Sequence, residues 1–467
     1  MVIGVLADTL GRSIDMAAQT VSQTIWDPVI RLGVTGLARS GKTVFITSLV
    51  ANLMDRGRMP GLQAAASGRI EAAYLQPQPD DIVPRFDFEA HRGALLSAEP
   101  HWPTSTRQVS ELRLSLKVRP AGLLSGLQGP RTIHLDIVDY PGEWLLDLTL
   151  LEQDYARWSA AALELAAARP MGAAYLAALD QTDASARLDE TQAKTLAQAW
   201  ISYLCAAQAA GFTSNTPGRF LLPGELAGSP ALTFAPLPPG AAPRGSLARE
   251  FARRFEAYKS RIVKPFFRDH FSRIDRQVVL LDLLNAIHQG PQALEDVRYS
   301  MAGILRAFRP GANSFLSALT GKRVERILFA ATKADHLHHN QHPQMIAITE
   351  ALLREARDRA DFAGAQTAAM AIASLRATTE ETRSVEGRSL GLVRGAVDGK
   401  EVAFYPGDLP FDPSALLGPA AANAERWLDR DYGRMQFAPA PLTLKPGDGP
   451  PHIRLDAAAE FLLGGKL

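Results

Sequence analysis

Three short stretches of this sequence carry residue types at spacings that suit the binding of a nucleotide. "GLARSGKT", residues 36–43, has the pattern G-x-x-x-x-G-K-[ST]. Gly36 and Gly41 let the backbone curl so that successive N–H groups, those of Leu37, Ala38, Arg39 and Ser40 among them, face inward as an anion nest. Lys42 would then reach the outer phosphates, and Thr43 would give its hydroxyl to Mg²⁺. "DYPG", residues 139–142, sets an Asp three residues before a Gly. Asp139 can hold the metal through water, and the backbone N–H of Gly142 can contact a γ-phosphate. "TKAD", residues 332–335, offers the carboxylate of Asp335. In the plane of a base it accepts from both N1–H and the 2-amino group of guanine, a donor pair that adenine lacks.

These residues need a scaffold, and the flanking pattern supplies one. A phosphate loop is credible only between a strand and a helix. Upstream, Ile30, Leu32 and Val34 alternate as in a strand; downstream, Phe45, Leu49 and Leu53 recur at helical spacing until Gly57. "SELRLSLKV", 110–118, and "RTIHLDIVD", 131–139, alternate cleanly and are expected to pair antiparallel. Apolar strands follow at 276–284, 325–335 and 368–374, with a helical stretch near 343–359 between the last two. Strands alternating with helices predict a mainly parallel α/β sheet. Its ligands sit at the carboxyl ends of the strands, where "DYPG" and "TKAD" fall.

"TKAD" resembles the [NT]-K-x-D element of the GTPase class of phosphate-loop proteins, with Thr as a variant of the usual Asn. The order loop, strand pair, "DYPG", strand, "TKAD" is that of a Ras-like GTPase core. Over nearly the whole chain, "GLARSGKTVFITSLVANL", "WPTSTRQVSELRLSL", "DYPGEWLLDLTLL", "RFLLPGELAGSPALTFAPL" and "TKADHLHH" look like the bacterial YcjX-like family (DUF463). That family is described as stress-associated GTP-binding proteins with a helical insertion in a Ras-like fold. The resemblance implies an α/β fold: a Ras-like GTPase sheet, mainly parallel with one antiparallel strand, bearing a large α-helical insertion and a C-terminal β-hairpin extension. It implies Mg²⁺ as cofactor and GTP/GDP as ligands. Guanine would be held by Thr332, Lys333 and Asp335, the lysine stem covering the base, and by a second base loop at Ser374, Leu375 and Arg376. A threonine before the strand at 110 would bind Mg²⁺ and sense the γ-phosphate; Thr106 is preferred narrowly to Thr104. Glu143 stands where these proteins usually have a water-orienting Gln. Its charge near the phosphates predicts slow hydrolysis. The catalytic set is Lys42, Glu143 and Arg107; Arg39 is a further charge-stabilising candidate, although such arginines are more often simply solvated. The expected activity is a Mg²⁺-dependent GTPase acting as a nucleotide-state switch. "TKAD" argues against an ATPase, and a nucleotide-stabilised scaffold with negligible turnover stays open.

The rest of the chain sets the surroundings. Its 467 residues correspond to roughly three units of about 150. The division expected is 1–145 for an N-terminal helix and the first part of the core, 146–272 for a mainly helical insertion, 273–385 for the second part of the core, and 386–467 for the C-terminal extension, in which Asp398-Gly399 marks a tight hairpin. "DMAAQTVSQTIWDP" reads as an amphipathic helix packed on the core. The formal net charge of +1 favours no particular partner, and no nucleic acid is expected. The single cysteine, Cys205, cannot form an intrachain disulfide. No signal peptide and no apolar run of membrane-spanning length are read, so a cytoplasmic protein is expected. Within "SLAREFARRFEAYKSRIVKPFF", Leu247, Phe251, Phe255, Tyr258 and Ile262 form one stripe, and Arg249, Arg253, Arg254, Lys259, Arg261 and Lys264 weight the other side. A packed helix with a solvated basic face is preferred to contact with the inner membrane or an acidic partner. The insertion could also carry a protein effector. "HLHHNQH", 336–342, reads as a solvent-exposed loop in preference to a metal site.

Overall fold

The computed structural model describes residues 27–37, 39–104, 108–121, 129–269, 273–307, 324–362, 364–385, 387–427 and 431–467. Seven strands form the main sheet: β1 (Val29–Gly36), β2 (Ile70–Gln76), β3 (Ser110–Val118), β4 (Arg131–Asp139), β5 (Arg276–Leu281), β6 (Arg326–Ala331) and β7 (Gln366–Ala371). Their order is β2-β3-β4-β1-β5-β6-β7. β3 pairs antiparallel with both β2 and β4, and every other pairing is parallel. One strand therefore runs against the rest, as the sequence predicts. β2 was not foreseen. "IEAAYLQ" alternates weakly and stays half-exposed at the sheet edge, with Tyr74 at the surface, so it carries little of the burial pattern by which strands are recognised.

Both faces of the sheet are covered. Alternate residues of the central strands feed two separate cores: Val278, Leu280, Leu328 and Ala330 on one side, Val279, Leu281, Ile327 and Phe329 on the other. This is the period of a strand with two buried faces, and it explains the unbroken apolar runs of β5 and β6. The first core also takes the helix Lys42–Met54 and, from the far end of the chain, Leu455, Ala459 and Leu462. The second merges with the insertion.

The strands read as 276–284, 325–335 and 368–374 end earlier, at Leu281, Ala331 and Ala371, and one expected helix divides. The strand read as 276–284 stops at Leu281, because the Asp282 carboxylate accepts from Asn285 N at 3.2 Å and caps a helix, Leu283–Gln289. The helical stretch near 343–359 divides at Leu353 into His342–Leu352 and Arg354–Phe362. A second sheet of β8 (Thr379–Val385), β9 (Arg388–Val397) and β10 (Lys400–Phe404) carries the Asp398-Gly399 turn, both of whose residues have positive φ, 48° and 75°. The proposed N-terminal helix lies outside the described residues.

The insertion is built on aromatic packing between the helices Tyr155–Ala168, Glu190–Ala209 and Leu247–Tyr258. Trp158 stacks on Phe255 with ring centroids 5.1 Å apart and meets Trp200 edge-on at 6.4 Å. The whole predicted stripe from Leu247 to Ile262 is buried. The basic side is not a uniform solvated face, and here the sequence reading needs correction. Arg254 is buried against Glu190 and Glu250, and Lys259 is buried, donating to Gln153 O at 2.7 Å. These two cations are committed to internal partners, which weakens the case for an anionic surface. A buried ion pair, Arg169–Asp296 at 2.7 Å, ties the insertion to the helix Pro291–Ala307.

Asp147 makes a second tie. Its carboxylate accepts from Gly218 N at 2.6 Å, Arg219 N at 3.2 Å and the Tyr258 hydroxyl at 2.5 Å. Burial, only partly offset by these donors, lifts its pKa from 3.8 to about 6. Across that window the folded chain keeps a proton that the unfolded chain has lost. The contribution of this group is therefore fully present below the unfolded value and is lost as pH rises through the folded one. We predict that the stability of wild type relative to Asp147→Asn falls between about pH 4 and about pH 6, measured by urea denaturation of both proteins. Parallel pH profiles would show that Asp147 does not hold this proton.

Candidate nucleotide site

β1 ends at Gly36 and the chain turns into the helix Lys42–Met54 through the predicted loop. Gly41 sits at φ 85°, in the left-handed region that a side chain would disfavour. The helix starts with no side-chain cap and no acid in its first turn. Its N–H groups and dipole are thus left to an anion. Lys42 Nζ donates to Gly36 O at 2.6 Å, which lays the ammonium across the loop. Thr43 is buried on the first turn, and Ser40 N donates to Leu37 O at 3.1 Å. Ala38 lies outside the described residues.

"DYPG" is brought directly onto this loop. β4 runs parallel beside β1 with Asp139 opposite Val34, so Asp139 ends its strand, buried, at the sheet edge where the loop begins. A Cβ on Gly142 would stand 2.4 Å from Gly36 O and 3.1 Å from Leu37 N. Only glycine allows the two backbones to approach this closely. The buried hydroxyl of Thr43 and carboxylate of Asp139 are both hard oxygen donors, the chemistry that Mg²⁺ takes. Of the switch residues, Thr106 and Arg107 lie outside the described residues, and Thr104 is exposed.

Glu143 is buried, and the insertion holds it. Gln208 Nε2, from the helix Glu190–Ala209, donates to Glu143 Oε1 at 3.2 Å. A Cβ on Gly218 would lie 1.9 Å from Glu143 O, and the Arg219 guanidinium sits 3.3 Å from the centroid of the Trp144 ring. A cavity of 220 Å³ opens here, bordered by Leu37, Arg39, Glu143, Cys205, Gln208 and Asp282. Gln208 gave no signal in the sequence; it is one polar residue on a helix far along the chain.

"TKAD" stands at the end of β6, on the same edge. Thr332 donates to Leu281 O through its N–H at 2.9 Å and its hydroxyl at 3.1 Å. Lys333 has φ 61°, and its ammonium pairs with the carboxylate of Asp282. Asp335 is buried, with Oδ2 accepting from Ala377 N at 2.9 Å, and Thr378 Oγ1 donates to its carbonyl. The "ASLRAT" segment therefore does meet "TKAD", but through Ala377 and Thr378. Ser374 and Leu375 are buried in the preceding turn, and Arg376 turns to Glu380 at 3.5 Å. Asp282, read in the sequence only as part of the apolar strand 276–284, pairs with Lys333 and borders the cavity. A charged residue at the carboxyl end of a central strand was the available signal.

Residues 30–467 match the YcjX-like family, DUF463. The chain is similar to the Ras-like GTPase YcjX of Escherichia coli (strain K12), 37% identical over 459 residues that make up 94% of this chain and 96% of that protein. It is similar to the Ras-like GTPase YcjX of Shewanella oneidensis, 33% identical over 490 aligned positions that cover 99% of each. The match runs from β1 through the loop, the insertion and "TKAD" to the last residue, and the chain belongs to the YcjX-like family.

Proposed function

We propose that this protein is a Mg²⁺-dependent GTPase with slow hydrolysis, in which the γ-phosphate sets the position of the helical insertion. The observation that supports this reading is the contact of Gly142 with Gly36, where a γ-phosphate held by the loop 36–43 would lie within reach of the Gly142 N–H. The names of the relatives, Ras-like GTPase, support it. The loop N–H groups and the Lys42–Met54 helix terminus would hold the phosphates. Lys42 would exchange Gly36 O for an outer phosphate oxygen and neutralise the charge that grows there in the transition state. Thr43 and Asp139 would hold Mg²⁺, which would supply further charge neutralisation when bound. Asp335 would select guanine, with Lys333 over the base. Glu143 would orient the attacking water. Its carboxylate is buried beside the loop and engaged by Gln208, and its charge opposes a triphosphate, so turnover is slow.

The switch follows from the same contacts. A γ-phosphate that draws on Gly142 N–H moves the segment 142–147. That segment carries Asp147, which holds Gly218, Arg219 and Tyr258 of the insertion. The insertion is then the effector surface, and the stress-response role implied by the family resemblance is exercised through it. Among the described residues no helix is long and apolar enough to cross a membrane. The engagement of Glu143 by Gln208 also favours a second reading, a nucleotide-stabilised scaffold with negligible turnover. Phosphate release with and without Mg²⁺ separates the two.

Asp335→Asn should weaken GDP binding about ten- to a hundredfold, the size of lost hydrogen bonds to a charged group, with no gain in ATP binding, as read by competition against a fluorescent GDP. Unchanged GDP affinity would remove Asp335 from base recognition. Glu143→Gln should keep or raise kcat for phosphate release, because it removes the opposing charge. A fall of about 100-fold or more, the size of a lost general base, would instead make Glu143 a required catalytic group.

A further inference from the structure

We propose that His338, His339 and Glu380 form a binding site for a divalent first-row transition metal of the Zn²⁺ class, which clips the turn after "TKAD" to the strand that follows the second base loop. The three side chains place their ligand atoms within 4.8 Å of one another. Glu380 Oε2 lies 2.5 Å from His339 Nδ1 and 3.9 Å from His338 Nε2. Tetrahedral Zn²⁺ with bonds of about 2.0–2.1 Å spaces its ligand atoms by about 3.3 Å, a value that these two separations bracket. Two imidazoles and a carboxylate are a donor set for Zn²⁺, Co²⁺ or Ni²⁺ rather than for Mg²⁺ or Ca²⁺.

The surroundings prepare the ligands. Glu380 Oε1 is held by Arg376 at 3.5 Å, which leaves Oε2 to the histidines. His338 is 8% exposed, and Gly391 of β9 lies so close that a Cβ there would stand 2.7 Å from the ring Cγ. That contact fixes the ring. Its Nδ1 is buried with no hydrogen-bond partner among the described residues, and its Nε2 has Thr382 Oγ1 at 3.5 Å, the outer limit of a hydrogen bond. A metal at Nε2 gives that weakly engaged nitrogen a firm partner; it does not satisfy the buried Nδ1. The His339 side chain is 67% exposed, which leaves a solvent side for an entry path and for a water as fourth ligand.

The other two histidines of "HLHHNQH" are committed elsewhere. His336 packs edge-on against Phe437 at 5.2 Å, and His342 bonds Ala334 O at 2.8 Å and Arg454 at 3.2 Å. The convergence of His338 and His339 on Glu380 is thus selective. It also has a place in the site. His338 follows Asp335 by three residues, and Glu380 follows Thr378, whose hydroxyl binds the Asp335 carbonyl. A metal here would tether two segments that this hydrogen bond already joins. Metal binding itself does not depend on the nucleotide reading.

The test uses full-length protein without a histidine tag, stripped with EDTA, dialysed, and kept in millimolar Mg²⁺ so that oxygen sites are filled. Co²⁺ is followed by its visible absorption and Zn²⁺ by calorimetry. Wild type should take up one equivalent, with a rise in Tm on adding Zn²⁺. His339→Ala and Glu380→Gln should bind at least about tenfold more weakly, and His101→Ala should bind as wild type does. His339 is exposed, so its variant should keep the fold, checked by circular dichroism and by the metal-free Tm. Absence of stoichiometric uptake by wild type, or equal affinity in His339→Ala and Glu380→Gln, overturns the proposal.

Discussion

The close approach of the Gly142 backbone to Gly36 constrains everything around it. It requires β4 to lie directly beside β1 in parallel, with Asp139 level with Val34, so that both strands end at the same height. It requires glycine, since a Cβ would fall 2.4 Å from a carbonyl oxygen. It also sets the direction of the chain that follows. Trp144, Leu145 and Leu146 turn into the core shared with the insertion, and Glu143 comes to lie under that insertion. The loop at the end of β1 and the helical layer are thereby connected through a few residues of backbone.

That connection is stiff because it is buried. Asp147 gathers two backbone N–H groups and a hydroxyl, Trp144 lies under Arg219, and Gly218 touches the Glu143 carbonyl. A segment satisfied this way does not deform gradually; a small shift at one end moves the other or breaks several contacts together. The insertion is continuous with the sheet core rather than an appended lobe, so motion at the loop acts on packed aromatic side chains. Under the proposed function, such a segment would carry the nucleotide state from the loop to the insertion.

Much of the sheet was legible in the sequence because burial imposes a short period. Leu112, Leu114 and Leu116 announce β3, and the observed strand covers the residues read for it. The placing of the loop, "DYPG" and "TKAD" at strand ends was legible because the strands before them carry a clear apolar pattern. The edge strand β2 was not, since a half-exposed Ala-rich strand has little pattern to show. Asp282 was misread because an aspartate ending a strand and capping a helix looks, in one dimension, like a blemish in an apolar run. Gln208, Ala377 and Glu380 could not be read at all. Their roles depend on which distant segment folds against them, and neither spacing nor residue type records that.

Asp282 also shows how the two ends of the site are joined. It sits at the end of the central strand β5, borders the cavity beside the phosphate loop, caps the next helix, and holds the Lys333 ammonium. The neighbouring carbonyl, Leu281 O, fixes Thr332. One strand end thus positions both the surroundings of the loop 36–43 and "TKAD", the proposed phosphate and base sides. Lys333 benefits most, because a free lysine side chain loses considerable rotamer freedom when it is immobilised over a ligand. Were a base to bind there as proposed, the anchored ammonium would already have met that ordering cost in folding, leaving more of the contact energy for binding.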